Sequence, residues 1–165
     1  MKTPNSSIFR SYAIFFIVSI VLSSCSDNVT RNNPSFQGLK DNVMWRAADS
    51  EATVENGALT ISGIDAYETL TLRLNSKNEG TYILGVNNGR KATFVDDVND
   101  VPLTFATGIN EGDGQVVVTD YDEINMTVTG TFRFNAVNVG DNPLGGAELN
   151  FQEGVFYKVP VVIVP

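Results

Sequence analysis

The sequence predicts an all-β domain, an antiparallel β-sandwich or partly open barrel of about ten short strands. Three observations predict it. Apolar residues recur with a period of two in several segments, turn residues punctuate the chain about every eight to twelve positions, and no stretch beyond residue 34 carries a helical period. A chain of 165 residues suits one such domain.

In order, residues 36–47 hold one or two short strands, with Val43, Trp45 and Ala47 on one parity. Residues 53–64 form a hairpin around Asn56-Gly57, because that dipeptide accepts the positive φ angles of a two-residue type I′ turn. Leu59, Ile61 and Gly63 then share a face. Residues 68–74 place Leu70, Leu72 and Leu74 inward and Thr69, Thr71 and Arg73 outward. Turn clusters at 75–80 and 87–89 bracket a strand over 81–86, and another strand covers 91–95. After an acidic loop at 96–101 come strands at 103–107, 115–121 and 126–136, with a turn at 110–114.

The segment 126–136 has the clearest alternation: Met126, Val128, Phe132 and Phe134 on one side, Thr127, Thr129, Thr131, Arg133 and Asn135 on the other. Gly130 in its middle marks a bulge or a close approach by another group. After a loop at 138–146, residues 147–152 and 155–161 read as a final hairpin around Glu153-Gly154. Pro160 places the last strand at an edge or ends it there.

The amino-terminal part has a different character. A polar head carrying Lys2 and Arg10 precedes an apolar run, SYAIFFIVSIVL, over residues 11–22. As a helix this run rises about 18 Å, short of the roughly 30 Å of a hydrocarbon core. It ends in Leu22-Ser23-Ser24-Cys25, which looks like a lipobox: cleavage between Ser24 and Cys25 and lipidation of Cys25. The expected organisation is a lipoprotein signal peptide over 1–24, a lipidated cysteine and flexible tether over 25–34, and the all-β domain over 35–165. The tether SDNVTRNNP is polar and has no hydrophobic period. As a coil of nine residues it reaches about 15–18 Å. Taking 24 residues from 165 leaves 141, enough to bury a core without disulfides. Losing Lys2 and Arg10 moves the net charge from −8 to −10. So acidic a chain, with its remaining cations scattered, is a poor partner for nucleic acid.

Several pieces carry a family resemblance. They are the lipobox, Met44-Trp45-Arg46-Ala47, Gly80-Thr81-Tyr82, residues 114–119, Gly130-Thr131-Phe132-Arg133-Phe134 within 128–134, and Gly154-Val155-Phe156. Together they resemble a family of short Bacteroidota lipoproteins with a β-sandwich or barrel-like domain of unknown function. The resemblance implies a lipid-anchored all-β domain at the cell envelope, in the outer membrane. It brings no activity and no catalytic residues. After Cys25, Ser26-Asp27 resembles the start of a surface-export signal but Asn28 breaks the acidic run, which leaves periplasmic and surface display both open.

The residue types narrow the chemistry further. With no histidine and one cysteine, the chain cannot form a Ser-His-Asp or Cys-His triad, an intrachain disulfide, or a zinc site built from Cys and His. No glycine-rich phosphate loop is present, because Gly145-Gly146 lacks a following Lys-Ser/Thr. No cofactor is expected. The acidic loop offers Asp96, Asp97 and Asp100 as calcium candidates, but their spacing does not match an EF-hand and a solvated loop is the favoured reading. A second acidic group, from Asp113 through Asp120, Asp122 and Glu123, has the same status. Trp45, Tyr67, Tyr82, Tyr121, Phe156 and Tyr157 either line a ligand surface or pack the strands, and packing is favoured. The expected function is a non-enzymatic, membrane-anchored domain that binds or scaffolds a protein or glycan partner at the envelope. The alternatives are a calycin-like carrier of a small apolar or glycan ligand and, more weakly, a hydrolase using a pair of carboxylates.

Overall fold

A computed structural model describes residues 34–98, 102–140, 142 and 145–165. The expected signal peptide and residues 25–33 of the expected tether, with Ser24 and Cys25, lie outside these residues, as does Asp100. The described chain is all-β, with eleven strands joined in one sheet and no helix. The strands are β1 (Ser35–Lys40), β2 (Val43–Arg46), β3 (Asp49–Glu55), β4 (Ala58–Asp65), β5 (Glu68–Leu74), β6 (Gly80–Leu84), β7 (Lys91–Asp96), β8 (Leu103–Ala106), β9 (Asp113–Asp122), β10 (Thr127–Asn138) and β11 (Glu148–Val164).

Local sequence explains the hairpins. Asn56 and Gly57 adopt φ values of 50° and 81°, which lets β3 pair in register with β4 from Asp49–Ile64 to Glu55–Ala58. Residues 36–47 form two strands rather than one, because Asp41 and Asn42 both enter the left-handed region that Asp and Asn tolerate. The alternation in β5 sends Leu70, Leu72 and Leu74 into the core. In β10 it buries Val128, Phe132 and Phe134, with Met126 packed against them from the turn.

The last strand corrects the expected final hairpin. Residues 148–164 run as one strand of 17 residues, and Glu153-Gly154 is a bulge inside it. Glu153 takes φ 51°, and the pairing shifts register there against both β1 and β10. A second bulge at Lys158 (φ 48°) shifts the β10 register again, and the Lys158 N–H donates to Thr129 Oγ1 at 3.0 Å. Pro160 does not end the strand. It follows the last β1 pair, Ser35–Tyr157, and precedes the first β3 pair, Ala52–Val161, so on that flank no ladder bond is asked of it.

This long strand ties the sheet together. Over its first part β11 lies between β1 and β10, antiparallel to both, and from Val161 to Val164 it pairs parallel with β3. Every other pairing is antiparallel. From β3 the pairings pass through β4, β5, β7 and β8 to the end of β10, and β10 pairs with β11. The return rests on two short seams, two registered pairs between β8 and β10 and four between β11 and β3, and the sheet is not a clear barrel.

The inward faces meet in an aromatic core. Phe36 packs edge-to-face on Trp45 (5.8 Å between centroids, 89°) and Phe132 (5.3 Å, 82°), and Trp45 on Phe151 (5.7 Å, 88°). Phe94 of β7 joins them through Trp45 and Phe151, so both parts of the sheet contribute to one interior. Gly130 is both things expected of it. The β9 and β11 registers shift beside it, and Phe156 lies against the space a side chain would take.

Candidate functional site

The outward side of β9, β10 and β11 carries an array of hydrogen-bonded polar side chains. Residues two apart on a strand share a face, and the register sets their neighbours. Arg133 stands opposite Gln115 of β9, and Asn135 lies between Asp113 of β9 and Asn150 of β11. The bulge at Glu153 adds one residue to β11 at this point, which bends the strand and brings Gln152 and Glu153 to the same groove as Arg133. The groove is open and has a volume of about 650 Å³. It continues past Gln115, Arg133 and Glu153 toward Thr131 and Val155.

Hydrogen bonds link its side chains along β11 and across to β10 and β9. Gln152 Nε2 donates to Asn150 Oδ1 (2.8 Å), Asn150 Nδ2 to Asn135 Oδ1 (2.6 Å), and Asn135 Nδ2 to Asp113 Oδ1 (3.0 Å). The Asn150 backbone N–H donates to Asp41 Oδ1, fixing the ladder to the β1–β2 turn. Each amide spends one N–H inside the ladder and keeps another, while Gln152 Oε1 and Asp113 Oδ2 keep acceptor capacity. Arg133 is exposed, and among the described residues no carboxylate lies within ion-pair distance of it. The result is a pre-ordered surface that both donates and accepts, built on rigid strands.

The calcium candidates sit elsewhere. Asp96 ends β7, with its Oδ1 accepting the Val98 N–H at 3.1 Å, and exposed Asp97 donates its backbone N–H to the Tyr67 carbonyl. Among the described residues no three His, Cys, Asp or Glu side chains group as metal ligands. In the second acidic group, Asp122 Oδ1 accepts the backbone N–H groups of Ile124 and Asn125, and its Oδ2 accepts Asn125 Nδ2. These bonds, the Asn125 side chain first, hold its carboxyl below the ordinary 3.8. Glu123 is likewise lowered by its hydrogen bond and charge pairing with Lys77, at 2.6 Å, and Lys77 is raised by the same hydrogen bond. Both pairs organise the β9–β10 turn.

The six aromatics do not converge on one surface. Trp45, Tyr82 and Phe156 are buried, with the Tyr82 hydroxyl donating to the Asn78 carbonyl. Tyr67 is exposed, and Lys77 Nζ lies 4.8 Å from the ring centre of half-buried Tyr121. Tyr157 is partly exposed beneath Lys158. Reading a ligand surface from aromatic residues therefore passes over the amide and guanidinium ladder. The outward parity of Arg133 and Asn135 in the 126–136 segment is the available signal, but a hairpin over 147–161 hides the matching half on β11.

A family model described as a domain of unknown function (DUF6252) matches residues 32–160. No curated protein and no solved structure matches the chain.

Proposed function

The chain belongs to the family of the domain of unknown function DUF6252, and on that footing we propose that it is a membrane-anchored envelope lipoprotein whose β-domain binds or scaffolds a partner through the outward face of β9, β10 and β11. The observation that carries this reading is the hydrogen-bonded polar ladder over an interior filled with side chains. Binding then takes place on the surface. A carrier draws less support, since its ligand needs an internal void and Leu70, Leu72, Leu74, Phe132 and Phe134 occupy the interior. A carboxylate-pair hydrolase has no pair of residues to name.

In this reading residues 1–24 are a signal peptide, Cys25 carries the acyl chains, and residues 26–34 tether the domain to the outer membrane of a bacterium of the Bacteroidota. The two short seams favour a partly open barrel over two separate layers. Two measurements test the proposal. Cys25→Ala abolishes incorporation of labelled palmitate and leaves the precursor uncleaved; continued labelling refutes the anchor. A photo-crosslinking amino acid at Gln152 captures a discrete adduct in cells, whereas one at Glu79, in the turn before β6, does not. The reverse pattern refutes the face.

A further inference from the structure

The second outward face, formed by β4, β5 and β7, contains an electrostatic conflict. The registers align Thr60, Arg73 and Lys91 in one row across the three strands and Ser62, Thr71 and Thr93 in the next row on the same face. Arg73 and Lys91 are therefore directly opposed cations. Like charges in directly opposed cross-strand positions destabilise a sheet.

The chain has spare carboxylates, 19 acidic residues against 11 basic, yet none lies within ion-pair distance of either cation among the described residues. Lys40 and Lys77, by contrast, are paired with Glu68 and Glu123. Arg73 and Lys91 instead line an open pocket of about 550 Å³ together with Thr60, Thr71 and Thr93, and the Thr71 hydroxyl shares a 3.4 Å hydrogen bond with Ser62 Oγ. Glu55 lines the same pocket, so its local charge is +1 on a strongly acidic molecule.

We propose that this face is an oxyanion site for a phosphate dianion, carried either as inorganic phosphate or as a phosphate monoester. A guanidinium presents a fork of N–H donors, an ammonium adds a point charge, and the hydroxyls of Thr60 and Thr93 can supply further donors. A phosphate monoester carries about −1.5 to −2 charges near neutral pH and three acceptor oxygens, which answers both the cation pair and the hydroxyl field. A carboxylate supplies one charge and two oxygens. The group comes either from free phosphate or from a phosphorylated headgroup on an envelope lipid.

Calorimetry on the full chain in a non-ionic detergent tests this, with inorganic phosphate and glycerol 3-phosphate as probes. At least one binds with a Kd of about 1 mM or tighter. Tighter binding of glycerol 3-phosphate assigns the site to a lipid headgroup, and equal or tighter binding of inorganic phosphate assigns it to the free ion. Arg73→Gln and Lys91→Gln each weaken binding about tenfold, while Arg46→Gln leaves it unchanged. Binding of neither probe overturns the proposal, as does binding that survives both substitutions. A second readout is thermal stability in phosphate-free buffer. Lys91→Thr raises Tm by relieving the repulsion with Arg73, and a fall in Tm overturns the like-charge argument.

Discussion

Replacing Gly130 by alanine tests the packing where β9, β10 and β11 cross. A methyl carbon on Gly130 would lie 2.8 Å from Phe156 Cε2, and closer still to Phe156 Cζ and to the Val117 carbonyl oxygen. Neither neighbour yields easily. The Phe156 ring is fully buried and packs edge-on against Phe36, with 6.5 Å between centroids. The Val117 carbonyl belongs to β9, whose residue 117 pairs with both Thr131 and Thr81, so β9 must part from its neighbours to make room. Overpacking of this kind costs about 3 kcal/mol when it displaces backbone. For a domain of this size that is roughly 10 °C in Tm.

Gly57→Ala is the matching control. Gly57 has φ 81°, and a methyl group added there would meet no atom within 4 Å, so the substitution carries only the left-handed backbone penalty of about 1 kcal/mol. Equilibrium urea denaturation followed by circular dichroism gives both values. Adding Phe156→Leu to Gly130→Ala recovers part of the loss, since it retracts the ring and leaves the carbonyl clash. A Gly130→Ala stability within about 0.5 kcal/mol of the wild type, or a larger loss for Gly57→Ala, refutes a close crossing at Gly130.

Two further predictions concern the turn and the ladder. The Asp122 carboxyl is held below its ordinary 3.8 in the folded chain, so its contribution to stability is present above that value and is lost as pH falls through the lowered one. Asp122→Ala therefore flattens the acid limb of the stability–pH curve below about pH 4; an unchanged limb contradicts the assignment. Asn150→Ala removes two side-chain hydrogen bonds from the half-buried ladder and lowers stability by about 1 kcal/mol. Gln115→Ala, on the same face but with no bond in that ladder, stays within about 0.5 kcal/mol of wild type. Equal effects of the two substitutions in urea melts would sink the claim that the ladder is pre-ordered.

The sequence by itself determined what depends on near neighbours along the chain. Leu70, Leu72 and Leu74 alternate with polar residues, and a pleated strand can satisfy that pattern in one way only, with the leucines in the core. Asn56-Gly57 specifies its own backbone angles, so the β3–β4 hairpin needed no distant partner to be legible. Gly130 announced a bulge or a close crossing, without saying which or what crossed. The lack of histidine and of a second cysteine removed whole classes of chemistry before any geometry was known.

Only the tertiary structure decided the fate of Glu153-Gly154. That dipeptide reads the same as a turn or as a bulge, and the choice depends on whether the flanking residues find each other or find strands remote in sequence. Here residues 151–157 are claimed by β1 on one side and β10 on the other, so the chain runs straight on and becomes the strand that joins the two parts of the sheet. The amide ladder and the Arg73–Lys91 pair have the same origin. Each is a juxtaposition set by register between strands, and register is a property of partners rather than of any one segment.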